Sequence, residues 1–215
     1  MIPHLSGLLA RALESPPEAD AFAEKILDAA LLEIAAVGIQ RLTLVDVARR
    51  AGVGRVTVYR RFADRESLLE ALAQRESRRF YVAMSEAVAR VATIEERLTE
   101  GFVTFVRFAR THPVLQRLTR TEPHALLEYV LGDDAMAFRV GCDFMAAQLR
   151  NVDAAPPPQI ASVAETLVRI GLSFLLPLPS TVRLEDDASA RAYARDCILP
   201  LVALRQRSGV VPSQA

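Results

Sequence analysis

The sequence predicts an all-α protein in two parts: a small N-terminal three-helix unit followed by a larger helical domain. Three observations predict it. Apolar residues recur at helical spacing along most of the chain. No run alternates apolar and polar residues as a half-buried strand would. Proline and glycine divide the chain into segments of roughly 8–20 residues, an ordinary helix length. With 215 residues, 51% hydrophobic and 24% charged, the chain can build a small module and one further domain with a core of its own. We place the boundaries at 1–19 for an N-terminal extension, 20–64 for the first unit and 65–215 for the second.

In the extension, Ile2, Leu5, Leu8, Leu9 and Leu13 fit one amphipathic helix, broken at Ser15-Pro16-Pro17. It either packs on the unit that follows or stays apart from it; both readings remain open. The start of the chain is not basic and its apolar stretch is short, which argues against a secretory signal. No apolar run reaches the roughly 18–20 residues needed to cross a bilayer. Cys142 and Cys197 show no metal spacing and read as two buried, apolar-like thiols in a reducing compartment. The expected location is the cytoplasm, with no membrane partner.

The first helix of the three-helix unit runs from about Asp20 to Val37. Phe22, Ile26, Ala30, Leu31 and Ile34 form its apolar stripe, and Gly38 is placed to close it. Thr43 then stands where an N-cap would, with Leu44, Val47, Ala48 and Ala51 on one short apolar face. Gly52 ends this helix, because a residue without Cβ enters the left-handed region without penalty. A second short helix begins near Gly54 or Arg55, with Val56, Tyr59 and Phe62 as its apolar side. Two short helices joined by a glycine turn make a helix-turn-helix, whose second helix fits the DNA major groove.

Charge points the same way. From Arg41 to Phe62 the cations are Arg41, Arg49, Arg50, Arg55, Arg60 and Arg61, against one anion, Asp46. The whole chain is formally neutral, so a basic patch sits on an otherwise acidic molecule. That is an electrostatic footprint for nucleic acid; the bland alternative is a solvated basic hairpin with no partner.

These residues carry a family resemblance. Thr43-Leu-Val-Asp-Val-Ala, Ala51-Gly-Val and Val58-Tyr-Arg-Arg-Phe-Ala-Asp-Arg-Glu-Ser-Leu-Leu resemble the N-terminal domain of the TetR (tetracycline-repressor-like) family over about Ala21 to Leu72. Two positions depart from the family pattern. Gly54 stands where a Ser or Thr is usual, which removes a hydroxyl that could cap the recognition helix or touch a phosphate. Arg65 stands where a Lys is usual, which keeps the charge and changes its geometry. The resemblance implies a homodimer on a palindromic double-stranded DNA operator, released by a small effector. Arg41 and Thr43 would fix the module on phosphates. Arg55, Val56, Thr57 and Arg60 would face base edges or nearby backbone. Tyr59, Arg61 and Arg65 would hold register on the backbone. Tyr59 keeps a second reading as a core residue.

Asp64 is a suitable N-cap for the next helix, from Arg65 to about Val91, with Leu68, Leu69, Leu72, Phe80, Val82, Met84 and Val88 as packing residues. A long helix leaving the module is a mechanical link to it. Further helices are placed at Ile94–Arg110, Pro113–Arg120, His124–Leu131, Asp134–Asn151, Pro158–Leu176 and Asp187–Arg207. Ala154-Ala-Pro-Pro-Pro158 and Pro177-Leu-Pro-Ser180 are the clearest breaks.

In the middle helices Leu98, Phe102, Phe105 and Ala109 share one face, and Phe138, Cys142, Met145 and Leu149 another. Such stripes are ordinary core, or they line the effector cavity that the resemblance implies. An aromatic and methionine lining would suit an apolar or amphipathic molecule, with His112, His124, Tyr129 and Arg139 as polar groups able to orient it. In the last helices, Ile160, Val163, Leu167, Ile170 and Phe174 recur on one face and Tyr193, Cys197, Leu201 and Leu204 on the next. The resemblance makes that pair the dimer interface; the alternative is that both faces fill the protomer core.

Catalysis finds no support. The chain has no P-loop, no HExxH and no GxSxG, and its histidines are scattered. No cofactor, metal site or enzymatic activity is expected. Two rivals stay in view: a DNA-binding regulator of the same fold that answers to no effector, and a helical binding protein or enzyme for apolar molecules with a vestigial DNA-binding unit.

Overall fold

The computed structural model describes residues 21–150, 157–176 and 180–202, and these are helices joined by short turns, with no strand among the described residues. Helix α1 (Ala21–Val37) buries Ile26, Leu27, Ala29, Ala30 and Ile34. Phe22, assigned to that stripe, is instead exposed. Gly38 closes α1 at φ +92°, donating its N–H to the Ile34 carbonyl at 2.9 Å.

Helix α2 (Leu44–Ala51) starts as expected: Thr43 Oγ1 accepts the Asp46 N–H at 3.1 Å. Gly52 ends it in the left-handed region, its N–H shared between the Ala48 and Arg49 carbonyls. Helix α3 (Arg55–Arg61) follows after Gly54, which offers no side-chain cap. Its inward residue is Val58, fully buried, with Phe62 beside it. Val56 and Tyr59, expected as the apolar side of α3 and also on its DNA-facing surface, are exposed.

Ile26, Ile34, Val47, Val58 and Leu68 lie at the centre of the core these helices share. Each such side chain contributes about 1.5–3 kcal/mol when fully buried. Helix α4 (Arg65–Ala89) opens on a capping box in which Asp64 Oδ1 accepts the Ser67 N–H and Ser67 Oγ accepts the Asp64 N–H. It buries Leu68 and Leu72 in this first core and Tyr81, Met84 and Val88 beyond it. One helix thus runs through both domains; Val82, expected inside, is exposed.

Helix α5 (Ile94–Thr111) has a Thr93/Glu96 capping box, and α6 (Pro113–Thr121) is capped by His112, whose Nδ1 accepts the Leu115 N–H at 3.3 Å. Helix α7 (Pro123–Arg150) is continuous where the sequence predicted two helices, His124–Leu131 and Asp134–Asn151, parted at Gly132-Asp133. The irregularity is confined to Ala135, at φ +57°. Buried Leu126 and Val130 on one side and Val140 and Phe144 on the other hold the helix in place, and such packing outweighs a local breaker propensity.

Helix α8 (Pro157–Ser173) lies along α7. Helix α9 (Asp187–Tyr193), capped by Asp186, widens into a π-helical turn over Ala194–Ile198. That turn ends two residues before Pro200, whose ring and missing N–H do not fit the Asp196 carbonyl of a regular helix. The stripe assigned to a dimer interface is only partly covered within the protomer. Ile160 is buried with Leu98, Ala146, Leu149 and Ala164, and Val163 and Leu167 pack on the same cluster. Phe174 and Tyr193 close an aromatic trio with Phe102, with centroids 5.5 to 5.7 Å apart. Ile170 is half-buried. Cys197, expected inside, is exposed, as is Leu201 at 47%; Leu204 lies outside the described residues.

Candidate nucleic-acid interface

The outward face of α3 exposes two large apolar side chains. Val56 is 72% exposed and Tyr59 51%. Arg55 and Arg60 stand on the same helix, and Arg41 on the turn before α2. These three arginines are exposed and make no hydrogen bond or ion pair among the described residues. Thr57 is half-buried on α3, close to Gly54.

The remaining cations of the basic segment are engaged within the protein. Arg49 pairs with Asp46 at 2.6 Å, and Arg50 with the buried Glu33 at 2.5 Å. Arg61 lies over the Phe22 ring, 5.3 Å from its centroid. Arg65 donates from Nη2 to the Ile39 carbonyl at 2.5 Å, which ties the guanidinium expected on a phosphate to the α1–α2 turn. The Thr43 hydroxyl both accepts from the Asp46 N–H and donates to Asp46 Oδ2 at 2.5 Å. Of the six cations in this segment Arg49 and Arg50 are ion-paired, Arg61 keeps its charge over the Phe22 ring, and Arg41, Arg55 and Arg60 make no bond among the described residues.

The two domains meet along α1, α4 and α6. Arg75 Nη1 reaches Glu24 at 3.2 Å and Asp28 at 2.9 Å on α1, while its Nε donates to Glu76 at 2.8 Å. His112 has Nδ1 occupied as a cap acceptor, so Nε2 is the nitrogen that donates to Glu76 Oε2, at 3.1 Å. Burial pushes the Glu76 carboxyl up, but the His112 bond and the Arg75 and Arg79 charges outweigh it and hold it below its ordinary 4.5. His112, considered for an effector site, belongs to this junction. Glu122, between α6 and α7, accepts the Ile39 N–H at 3.0 Å.

The residues proposed for an effector site spread over several packed clusters, with Phe105 shared among three of them. Phe102 belongs to the trio with Phe174 and Tyr193. Phe105 packs against Phe80 and the Tyr81, Met84, Val140, Phe144 cluster. Met145 joins the Leu98, Leu149, Ile160 cluster. Phe138 packs on the Leu118, Leu126, Leu175 cluster and has the Arg169 guanidinium 5.0 Å from its ring centroid. Burial, with the Glu165 and Asp143 carboxylates nearby, pushes the Cys142 thiol up to about 11, which makes it unreactive near neutrality. His124 and Arg139 are exposed, and Tyr129 is exposed with its hydroxyl 2.7 Å from Ser77 Oγ. Tyr81, buried among these helices, was not singled out from the sequence; burial raises its phenol well above the ordinary value. Among the described residues no three His, Cys, Asp or Glu side chains are grouped to hold a metal, and no helix is long and apolar enough to cross a membrane.

Glu33, Glu76 and Glu122 carry this architecture, and sequence reasoning passed over all three. A lone glutamate whose partner lies 17, 36 or 83 residues away leaves no local signal.

Residues 26–72 match the family model described as bacterial regulatory proteins, tetR family. An uncharacterized HTH-type transcriptional regulator of Mycobacterium tuberculosis is 30% identical over 181 residues, covering 84% of this chain and 85% of that protein. The HTH-type transcriptional regulator AlkX of the same organism is 28% identical over 173 residues, 79% of this chain and 78% of that one. Among solved structures, the TetR family repressor AlkX from Dietzia sp., implicated in biodegradation of n-alkanes, superposes with a TM-score of 0.60. Its identity is 24%, over 88% of this chain and 98% of that one. A TetR-like regulator from Rhodococcus sp. gives 0.59 at 19% identity, over 91% and 100%.

Proposed function

The chain belongs to the tetR family of bacterial regulatory proteins and is a transcriptional regulator; from that premise we propose that it is a homodimeric repressor of a palindromic operator, released by a small apolar effector. The observation that carries the DNA-facing part is the α3 surface: Val56 and Tyr59 exposed between Arg55 and Arg60, neither arginine engaged by the protein itself. A side chain as apolar as Val56, left that open, suits contact with a thymine methyl, and an arginine suits guanine. One seven-residue helix contacts few bases. Two copies related by a two-fold axis read a palindrome selectively.

The apolar effector is supported by composition: α4, α5 and α7 bring Phe80, Tyr81, Met84, Phe105 and Phe144 together, and AlkX of Dietzia is implicated in n-alkane biodegradation. A ligand that prefers one of two conformations shifts the equilibrium by no more than its differential affinity. Incubation with a panel of alkanes, fatty acids and hydrophobic drugs tests this. A concentration-dependent rise in melting temperature supports an apolar effector; none across the panel removes it. The distribution of the lining residues over several packed clusters favours one rival, a regulator of the same fold that answers to no effector.

A further inference from the structure

We propose that Glu122 is a positioning residue for operator binding. From the α6–α7 corner of the second domain it holds the α1–α2 turn, the segment that presents Arg41 and Thr43. The proposal rests on the reading of that turn as part of the DNA-facing surface.

Both backbone polar groups of Ile39 reach partners outside the turn, and its carbonyl also accepts the Leu42 N–H within it at 3.3 Å. Its N–H donates to Glu122 Oε2 at 3.0 Å, and its carbonyl accepts Arg65 Nη2 at 2.5 Å. Gly38 makes the first bond possible in two ways. At φ +92° it turns the chain so that the next N–H leaves the α1 axis, and it has no Cβ where the Glu122 carboxylate lies; a methyl group there would overlap Oε1. The Ile39 side chain completes the contact, packing on both the first-domain core and the Leu118 cluster of the second domain. Two residues past Ile39 stands Arg41, and two further is Thr43, the N-cap of α2.

A carboxylate bonded to a backbone N–H is charge-assisted and strongly distance-dependent. Displacing the α6–α7 corner by about 1 Å takes the pair out of hydrogen-bond range. Glu122 thus gives the second domain a hold on the module separate from the long helix α4, and places it where Arg41 is aimed.

The test uses the full chain and two readouts. Amide exchange by mass spectrometry follows residues 38–43 against 44–62. Fluorescence anisotropy follows a duplex carrying the intergenic DNA beside the protein's own gene. Glu122→Ala is expected to speed exchange in 38–43 alone, and to weaken duplex binding about three- to tenfold, the equivalent of one hydrogen bond. Glu122→Gln, whose side-chain carbonyl still accepts from Ile39, is expected to restore both. Should the alanine variant not fold, Glu122→Asp, which withdraws the carboxylate by one methylene, repeats the comparison. Unchanged exchange in 38–43, exchange raised equally across both segments, or a glutamine variant as impaired as alanine would each overturn the proposal. The exchange readout needs no DNA, so it stays interpretable if the operator reading fails.

Discussion

Arg50 Nε lies 2.5 Å from Glu33 Oε2, and this pair ties the helix-turn-helix to α1. Glu33 is 7% exposed, so removing its partner leaves a carboxylate desolvated. Arg50→Ala is expected to cost about 1–3 kcal/mol of stability, read by chemical denaturation, while leaving the salt dependence of DNA binding unchanged. Arg55→Ala is expected to do the opposite. Its stability stays near the wild type, and the slope of log K against log salt falls by about 0.9 if the arginine neutralises a phosphate.

Gly54 begins α3 in extended backbone with no side-chain cap. A Cβ there meets Thr57 Oγ1 at 3.7 Å, an ordinary contact. Gly54→Ser is therefore expected to fit, to raise stability by a few tenths of a kcal/mol through a new N-cap, and to tighten binding to any duplex through its hydroxyl. Thermal melts and anisotropy on two unrelated duplexes check both parts.

Leu167 and Leu201 separate core from interface. Leu167 is half-buried against the Leu98, Leu149, Ile160 cluster, so Leu167→Glu is expected to destabilise the fold by about 1–3 kcal/mol. Leu201 is 47% exposed on the last described turn. Leu201→Glu is expected to give monomers with unchanged helical content in sedimentation and circular dichroism. A variant that still sediments as a dimer would move the interface elsewhere.

Glu76 links stability to acid pH. Its folded-state carboxyl lies below its ordinary 4.5 because the His112 bond and the Arg75 and Arg79 charges outweigh burial. A depressed value contributes stability that is present above 4.5 and lost as pH falls through the folded value. Glu76→Gln is expected to be less stable than the wild type at pH 7, with the gap closing below pH 4.5. Denaturation midpoints from pH 3 to 7 measure this.

What was legible in the sequence was local. Thr43, Gly52 and Asp64 announced helix ends because a cap works within three or four residues of itself, and the structure places all three as caps. The buried residue of α3, Val58, was not singled out because a seven-residue helix has too few turns to fix a period. The pairings of Arg50 with Glu33 and of Ile39 with Glu122 join residues far apart in the chain. Nothing in either stretch alone marks them. Periodicity likewise identifies an apolar face but not its partner, so it did not show that Ile160, Val163 and Leu167 pack with Leu98 of α5 and Leu149 of α7.

The most direct measurement is fluorescence anisotropy of wild type and Arg60→Ala on the intergenic DNA beside this protein's gene and on a scrambled duplex, at two salt concentrations. The α3 reading predicts a wild-type preference for the native duplex that persists at the higher salt. It also predicts that Arg60→Ala lowers that preference by about 1–3 kcal/mol. Equal binding of both duplexes that collapses with salt, unaltered by Arg60→Ala, would contradict it.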